Sequence, residues 1–323
     1  MASKERFFTN DKLYVRATYF TWSENSTGLI SSFKESHINS LVEYIRQRVS
    51  FCSYFAINCD GIFDVDDHAL DLLESYLNDN QELTVVFFSK YEANALVEFV
   101  DSKCRINKSK VENSCAIGFA GNLIDNVELR NECDSLESKF LHKIVKDSYT
   151  PVETHVLSST PLKAPGEFSA TSFISNPTFF KLVSLILAEK VYDFISSNHL
   201  KNVTIVSASL RGATLAAAIW EILRSSQNVR LCPIDHFGPR HDLLEPAKFH
   251  EAIQNSNCIY IGDFLIAGTE VKVLSAYTKF LNGSLCAAFV VGKFTEKSKL
   301  GNTVLESLVY LKDCVDKLEY KLS

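Results

Sequence analysis

The segment Cys258 to Leu274, CIYIGDFLIAGTEVKVL, limits what this chain can fold into more than any other. An apolar run from Cys258 to Ile261 breaks at Gly262 and Asp263, resumes from Phe264 to Ala267, meets Gly268-Thr269 and continues with helical spacing from Glu270 to Phe280. This order predicts a strand, a tight turn bearing an acid and glycines, and then a helix. The first amides of that helix point into the turn, where orphan N–H groups and the helix dipole both favour negative charge. A bland strand-to-helix turn would carry much the same residues, so the segment alone leaves that reading open.

A second unit of the same build precedes it. The apolar run Asn202 to Val206 leads into Ser207-Ala208-Ser209-Leu210-Arg211-Gly212-Ala213-Thr214-Leu215-Ala216, a small-residue turn entering an Ala-rich helix. Small residues let backbone amides approach a phosphate, and Arg211 supplies fork-shaped donors to its oxygens. Two such turns, each after a parallel strand, are expected side by side at the carboxyl edge of one sheet, where open α/β folds bind ligands. The alternative for the second turn is a plain helix cap.

With 323 residues the chain can bury sizeable cores, and its length favours about two domains. Its net charge is −6 and no Lys/Arg block dominates, so no nucleic-acid groove is indicated. The first residues, MASKERFFTNDK, show no apolar core before a small-residue cleavage site, and no apolar run nears the roughly 20 residues of a membrane span. Nine cysteines are scattered singly without a C-x-x-C pair, which suits a reducing, cytoplasmic setting with thiols as small core residues.

The first half alternates strand and helix signals. Leu13, Val15, Ala17 and Tyr19 alternate within Arg6 to Phe20; Ile38, Leu41, Val42 and Ile45 recur at helical spacing; Phe51 to Cys59 and Leu83 to Phe88 read as strands. Asp66 and Asp67 suit the start of a helix carrying Ala69, Leu70, Leu73 and Leu77. A further helix is expected over Tyr91 to Val100, a polar loop over Arg105 to Asn113, a short strand over Cys115 to Phe119 and helical spacing over Leu136 to Val145. Asp60, Asp64, Asp66, Asp67 and His68 carry metal-competent donors, but their spacing fits no calcium loop and a solvated helix start is preferred. DSYTP at Asp147 to Pro151 breaks the periodicity, so residues 1–148 and 149–323 are the expected domains. The second opens with Pro151 to Ser159 and then Thr160 to Ile174, for which a plain surface loop is one reading; Asn176-Pro177 starts a long helix, Ser284 to Val291 is a buried strand, Gly292 to Gly301 a charged loop, and Leu305 to Leu311 a last strand.

The central segment resembles the signature of type I phosphoribosyltransferases, most closely the orotate phosphoribosyltransferases: a hydrophobic strand, two acids, apolar residues, then Ala or Thr, Gly and Thr. The resemblance implies an open, mostly parallel sheet flanked by helices, and a ligand, phosphoribosyl pyrophosphate, carrying its own Mg2+. Position by position, Asp263 matches the second acid, which holds ribose hydroxyls, and Ile266, Ala267, Gly268, Thr269 and Glu270 match the cradle of the 5′-phosphate. Gly262 stands where the first acid belongs, and Ile266 replaces a usual hydroxyl residue. Ser209, Leu210, Arg211, Gly212 and Ala213 resemble the family's pyrophosphate loop.

Further matches are positional. Gly166 and Ser169 resemble the Ser-Gly-x-x-Ser stretch beside the base pocket, with Lys163 as counterpart of the lysine before it. Asp235 to Asp242 takes the place of a mobile closing loop, and His236, Arg240 and His241 suit donation to a departing pyrophosphate. A rigid turn on Gly238-Pro239 is the alternative there, and a zinc site from His236, His241 and His250 lacks a fourth ligand. In the first half, Cys59-Asp60 through Leu73 and Thr84 to Phe99 resemble a STAS-like domain, with Asp66-Asp67-His68 at the helix start and no evident phosphorylatable Ser. That implies a small α/β regulatory module for docking a protein partner or for dimerisation.

Three functions follow as expectations. One is transfer of ribose 5-phosphate to a base-like nitrogen acceptor by a cytoplasmic homodimer with no membrane or nucleic-acid role. Another is a catalytically degenerate sensor or effector that binds the same ligand and acts with a partner in a bacterial response or defence system. The third is a scaffold that binds neither.

Overall fold

The computed structural model describes residues 7–9, 12–17, 32–50, 52, 54–60, 62, 64–80, 83–89, 106–111, 114–119, 126–156, 162–224, 227–234, 251–315 and 321–322. The expected helix over Tyr91 to Val100 lies outside them. The chain divides into two compact units, Met1–Glu137 and Ser138–Ser323. The division falls within one helix, Asn126–Asp147, whose unbroken periodicity carries no mark at 137. Among the described residues no helix is long and apolar enough to cross a membrane. Cys52, Cys59, Cys133, Cys232, Cys258 and Cys314 are buried, and Cys286 is partly so.

The first unit contains β1 (Phe7–Thr9), β2 (Lys12–Arg16), β3 (Ser32–Phe33), α1 (Glu35–Arg46), β4 (Tyr54–Asn58), β5 (Asp64–Val65), α2 (Asp67–Asp79), β6 (Thr84–Ser89), β7 (Ile106–Val111), β8 (Ser114–Phe119) and the start of α3 (Asn126–Asp147). Its sheet runs β1-β2-β4-β6-β8-β7, with β2, β4 and β6 parallel. Leu13, Val15, Phe55, Ile57, Val85 and Phe87 share a core with Ile38, Leu41 and Ile45 of α1 and Ala69, Leu73 and Leu77 of α2. The other face is covered too, since Tyr14, Ala56, Val86 and Phe88 are also buried. On that face Tyr14 donates to Glu132, and Arg16 makes a paired contact with Glu137, Nε to Oε1 at 2.5 Å and Nη2 to Oε2 at 2.9 Å.

Residues 105–113, expected as a polar loop, contain the edge strand β7. An edge strand has only one neighbour, so INKSKV with its two lysines is tolerated there and discourages further pairing. Asp66 caps α2 by accepting from the His68 amide at 2.9 Å, while Asp60 is buried and accepts from Ser89 Oγ at 3.1 Å. Asp60 and Asp66 thus serve separate local roles.

The second unit continues with β9 (Tyr149–Val156), β10 (Leu162–Phe168), the single turn α4 (Thr171–Ile174), α5 (Pro177–Ser197), β11 (Val203–Ser207), α6 (Leu210–Leu223), β12 (Val229–Pro233), β13 (Asn257–Leu265), α7 (Thr269–Phe280), β14 (Ser284–Lys293), β15 (Lys299–Leu300), β16 (Thr303–Tyr310), α8 (Leu311–Cys314) and β17 (Lys321–Leu322). Its main sheet has the order β12-β11-β13-β14-β16-β15, all parallel except β15, and is the flanked, mostly parallel sheet expected. The short β15 falls inside the expected loop 292–301. The segment before α5, where the sequence marks no strand or helix, forms the antiparallel hairpin β9–β10 followed by α4. A register shift between Ala164 and Gly166 accommodates Pro165, and Gly166 lies where an added Cβ would come within 2.4 Å of the Tyr149 ring.

From β11 the chain passes through α6 to β12 on one side; from β13 it passes through α7 to β14 on the other. The strand order therefore reverses between β11 and β13, and right-handed crossovers in opposite directions put α6 and α7 on opposite faces. Cys258 and Tyr260 accordingly share a core with Val271, Leu274 and Tyr277 of α7, whereas α6 packs on β11, β12 and β13 from the other side. Both turns of interest open at this reversal.

Arg16→Ala should cost the first unit about 3–5 kcal/mol in urea unfolding, because it strands the buried Glu137 carboxylate. The double change Arg16→Met, Glu137→Leu, which removes both charges, should recover most of that loss.

Candidate functional site

Ser209 caps α6, its Oγ accepting from the Gly212 amide at 3.0 Å, so the first turn stands directly over the end of β13. A Cβ on Gly212 would sit 3.0 Å from the Ile261 carbonyl and 3.5 Å from Gly262 Cα, which is why a glycine stands where helix and strand meet. The approach carries Arg211 to Asp263: Nη1 lies 3.8 Å from Oδ2, with the guanidinium 42% exposed and the carboxylate 18%. At the end of β11 the Ser207 hydroxyl is fully buried and has no hydrogen-bond partner among the described residues.

Burial pushes the Asp263 carboxyl above its ordinary value, although Arg211 and the Phe264 amide pull the other way. A half-exposed arginine beside a desolvated carboxylate leaves both groups with unused hydrogen-bonding capacity for a ligand.

The second turn is fixed by Gly268, whose φ of 70° caps α7 in the left-handed region. A Cβ there would come within 2.5 Å of Leu300 Cδ1. Gly268 offers no side chain to cap α7, so among the described residues no N-cap side chain meets the first amides of the helix. Glu270 is placed differently from its neighbours: its Oε2 accepts from Tyr260 Oη at 2.7 Å, leaving its backbone alone to the cradle. Burial raises the Glu270 carboxyl, and it raises the Tyr260 phenol well above its usual value.

Beside the cradle lies a cavity of ≈ 600 Å³ bounded by Ile266, Ala267, Phe294 and three lysines, Lys272, Lys297 and Lys312. Lys312 lies 4.9 Å from the Phe294 ring centroid and 3.5 Å from Glu296 Oε1. The hairpin and α4 approach through Phe168 and Phe173, whose rings lie 5.2 Å and 6.2 Å from that of Phe264, next to Asp263.

The structure thus brings Ser209, Leu210, Arg211, Gly212 and Ala213 together with Asp263 and the turn 266–270 at one sheet edge. Lys163 lies in β10 opposite Val156 and Lys321, and its side chain is outside the described residues. His236, Arg240, His241 and His250 also lie outside them. Among the described residues no three His, Cys, Asp or Glu side chains gather as a metal site. Tyr260 and the three cavity lysines escaped the sequence reading. For Tyr260 a signal existed, because two-residue alternation puts it on the same face of β13 as Gly262.

No protein-family model and no curated protein matches the chain. Solved structures do. Orotate phosphoribosyltransferase from Aeropyrum pernix aligns over 56% of this chain and 96% of its own, at 16% identity and a TM-score of 0.40. Adenine phosphoribosyltransferase from Leishmania donovani aligns over 55% and 82%, at 16% identity and a TM-score of 0.40. A phosphoribosyltransferase from Corynebacterium diphtheriae aligns over 55% and 98%, at 11% identity and a TM-score of 0.38. The structures it resembles are phosphoribosyltransferases.

Two measurements probe this edge. Because the folded Asp263 holds its proton more tightly than an ordinary carboxyl, its contribution to stability is present at low pH and is lost as pH rises through the raised folded value. Asp263→Asn should therefore raise the melting temperature at pH 7 and flatten the fall in stability between acidic and neutral pH. Gly268→Ala should destabilise by roughly 1–2 kcal/mol in denaturant titrations, since it forces an L side chain into left-handed geometry against Leu300.

Proposed function

We propose that the second unit binds phosphoribosyl pyrophosphate across the crevice between β11 and β13 and transfers its ribose 5-phosphate to a nucleobase-like nitrogen, releasing pyrophosphate. The supporting observation is the 3.8 Å approach of Arg211 to Asp263, which unites two phosphate-competent turns over one sheet edge. Arg211 and the amides of Ser209 to Ala213 take the pyrophosphate; Asp263 takes a ribose hydroxyl; the turn 266–270 and the start of α7 take the 5′-phosphate. The cavity with Lys272, Lys297 and Lys312 receives the acceptor.

In the reaction the bond from C1 to pyrophosphate breaks with its electron pair leaving on oxygen, a bond from the acceptor nitrogen to C1 forms, and the nitrogen's proton passes to solvent. The sugar becomes cation-like while charge gathers on the leaving group, so the protein's work is to orient and neutralise. Asp263 and Glu270 offer hard oxygen donors without a third acid, His or Cys beside them among the described residues, which suits magnesium that arrives on the ligand's phosphates with several waters and screens their charge.

One observation favours a second reading, a sensor that binds without turnover: Gly262 contributes no carboxylate beside Asp263. The two are separated by mixing the full chain with phosphoribosyl pyrophosphate, Mg2+ and a panel of nucleobases. Thermal stabilisation with pyrophosphate release is the expected result, stabilisation without release selects the sensor, and no stabilisation overturns both. Arg211→Ala should weaken binding about ten- to a hundredfold, the worth of one charge-assisted contact to phosphate.

A further inference from the structure

The α7 face of β13 holds a construction that the reading above does not use. A Cβ added to Gly262 would lie 2.5 Å from Tyr260 Oη and 2.7 Å from its ring. The tyrosine therefore fills the place where a side chain at 262 would begin. Its hydroxyl does not end there, since it donates to Glu270 Oε2 at 2.7 Å. That oxygen is thus no farther from the empty Cβ position than those two short distances laid end to end, which puts an acid of the α7 turn on the same side of β13 as the missing side chain.

We propose that Glu270, held by Tyr260, is the second sugar-binding carboxylate of this site and acts with Asp263 on the vicinal hydroxyls of the ribose. The inference rests on the ligand assignment above and deepens it. Asp263 reaches the sheet edge from the α6 face, where it meets Arg211; Glu270 reaches it from the α7 face. A sugar lying over the end of β13 meets one carboxylate from each side, as it would from adjacent residues of a strand. The hydrogen bond to Tyr260 occupies one Glu270 oxygen and leaves the other to accept from a hydroxyl. Asp263 is near enough for its charge to help raise the Glu270 carboxyl, so the two acids share one local field.

A merely structural role for Glu270 would show in stability alone, so the readout must be the sugar hydroxyls. Calorimetry on the full chain compares ribose 5-phosphate with its 2-deoxy and 3-deoxy analogues, using wild type, Glu270→Gln, Tyr260→Phe and Asp263→Asn. Wild type should prefer ribose 5-phosphate over each analogue by about tenfold, the worth of one hydrogen bond to a charged group. Glu270→Gln should abolish the preference over one analogue and keep it over the other, with Asp263→Asn showing the reverse. Tyr260→Phe, which keeps the ring and frees the carboxylate, should lower the same preference as Glu270→Gln by a smaller factor. It also keeps the test decisive if Glu270→Gln does not fold. If Glu270→Gln or Tyr260→Phe changes the melting temperature but leaves both ratios at wild-type values while Asp263→Asn removes one, the inference is overturned and the ligand assignment stands. If wild type binds neither ribose 5-phosphate nor phosphoribosyl pyrophosphate, both fall.

Discussion

The second unit depends on the close approach of the first turn of α6 to the end of β13. Gly212 sits against the Ile261 carbonyl and Gly262 Cα closely enough that a Cβ there would be tight, at 3.0 Å and 3.5 Å. This contact sets the height of α6 above the sheet and hence the position of Arg211. Without it the guanidinium would not come within 3.8 Å of Asp263, and the two turns would be separate helix starts rather than one crevice. The strand order supplies the rest: because β11 and β13 send their connections to opposite sides, the two turns open at the same sheet edge between them. A site here is a consequence of topology.

How much of this was legible in the sequence follows from the range of each signal. The parallel strands β11, β13 and β14 are continuous apolar runs because both their faces are buried, and the turns after β11 and β13 announce themselves through glycine and small residues. The adjacency of those turns was legible as well, since parallel strands followed by helices admit few arrangements. The hairpin at Tyr149–Phe168 was hidden because Pro151, Pro165 and Gly166 read as breakers, yet Gly166 is needed there by the Tyr149 ring. Edge strand β7 was hidden by its lysines. In the first unit, alternation revealed Leu13, Val15 and Ala17 but not the reason Tyr14 and Arg16 lie between them, which is a helix carrying Glu132 and Glu137 more than a hundred residues away.

The hardest feature to read was the relation among Tyr260, Gly262 and Glu270. Position by position, Gly262 is a loss and Glu270 an ordinary acid in the first turn of a helix, where the dipole welcomes it. Only in space does the loss at one position coincide with the ring of a second residue and the carboxylate of a third. Sequence comparison assigns a role to a position, whereas chemistry needs only a group at a place.

The same edge explains why the chain keeps two carboxylates where burial disfavours their charge. Asp263 and Glu270 are both raised by desolvation, and the charge of Asp263 adds to the rise at Glu270. Arg211 offsets this only in part, at a distance longer than a direct hydrogen bond and with much of its surface in water. A neutral pair at these positions would serve folding better, so the cost must be recovered in another state. A ligand that presents hydroxyls to the acids and negative charge to the arginine would restore the missing partners all at once, which turns local instability in the empty site into preference for the occupied one. On this view the weak point of the fold and the specificity of the site have one origin, the two desolvated acids held at the reversal of strand order.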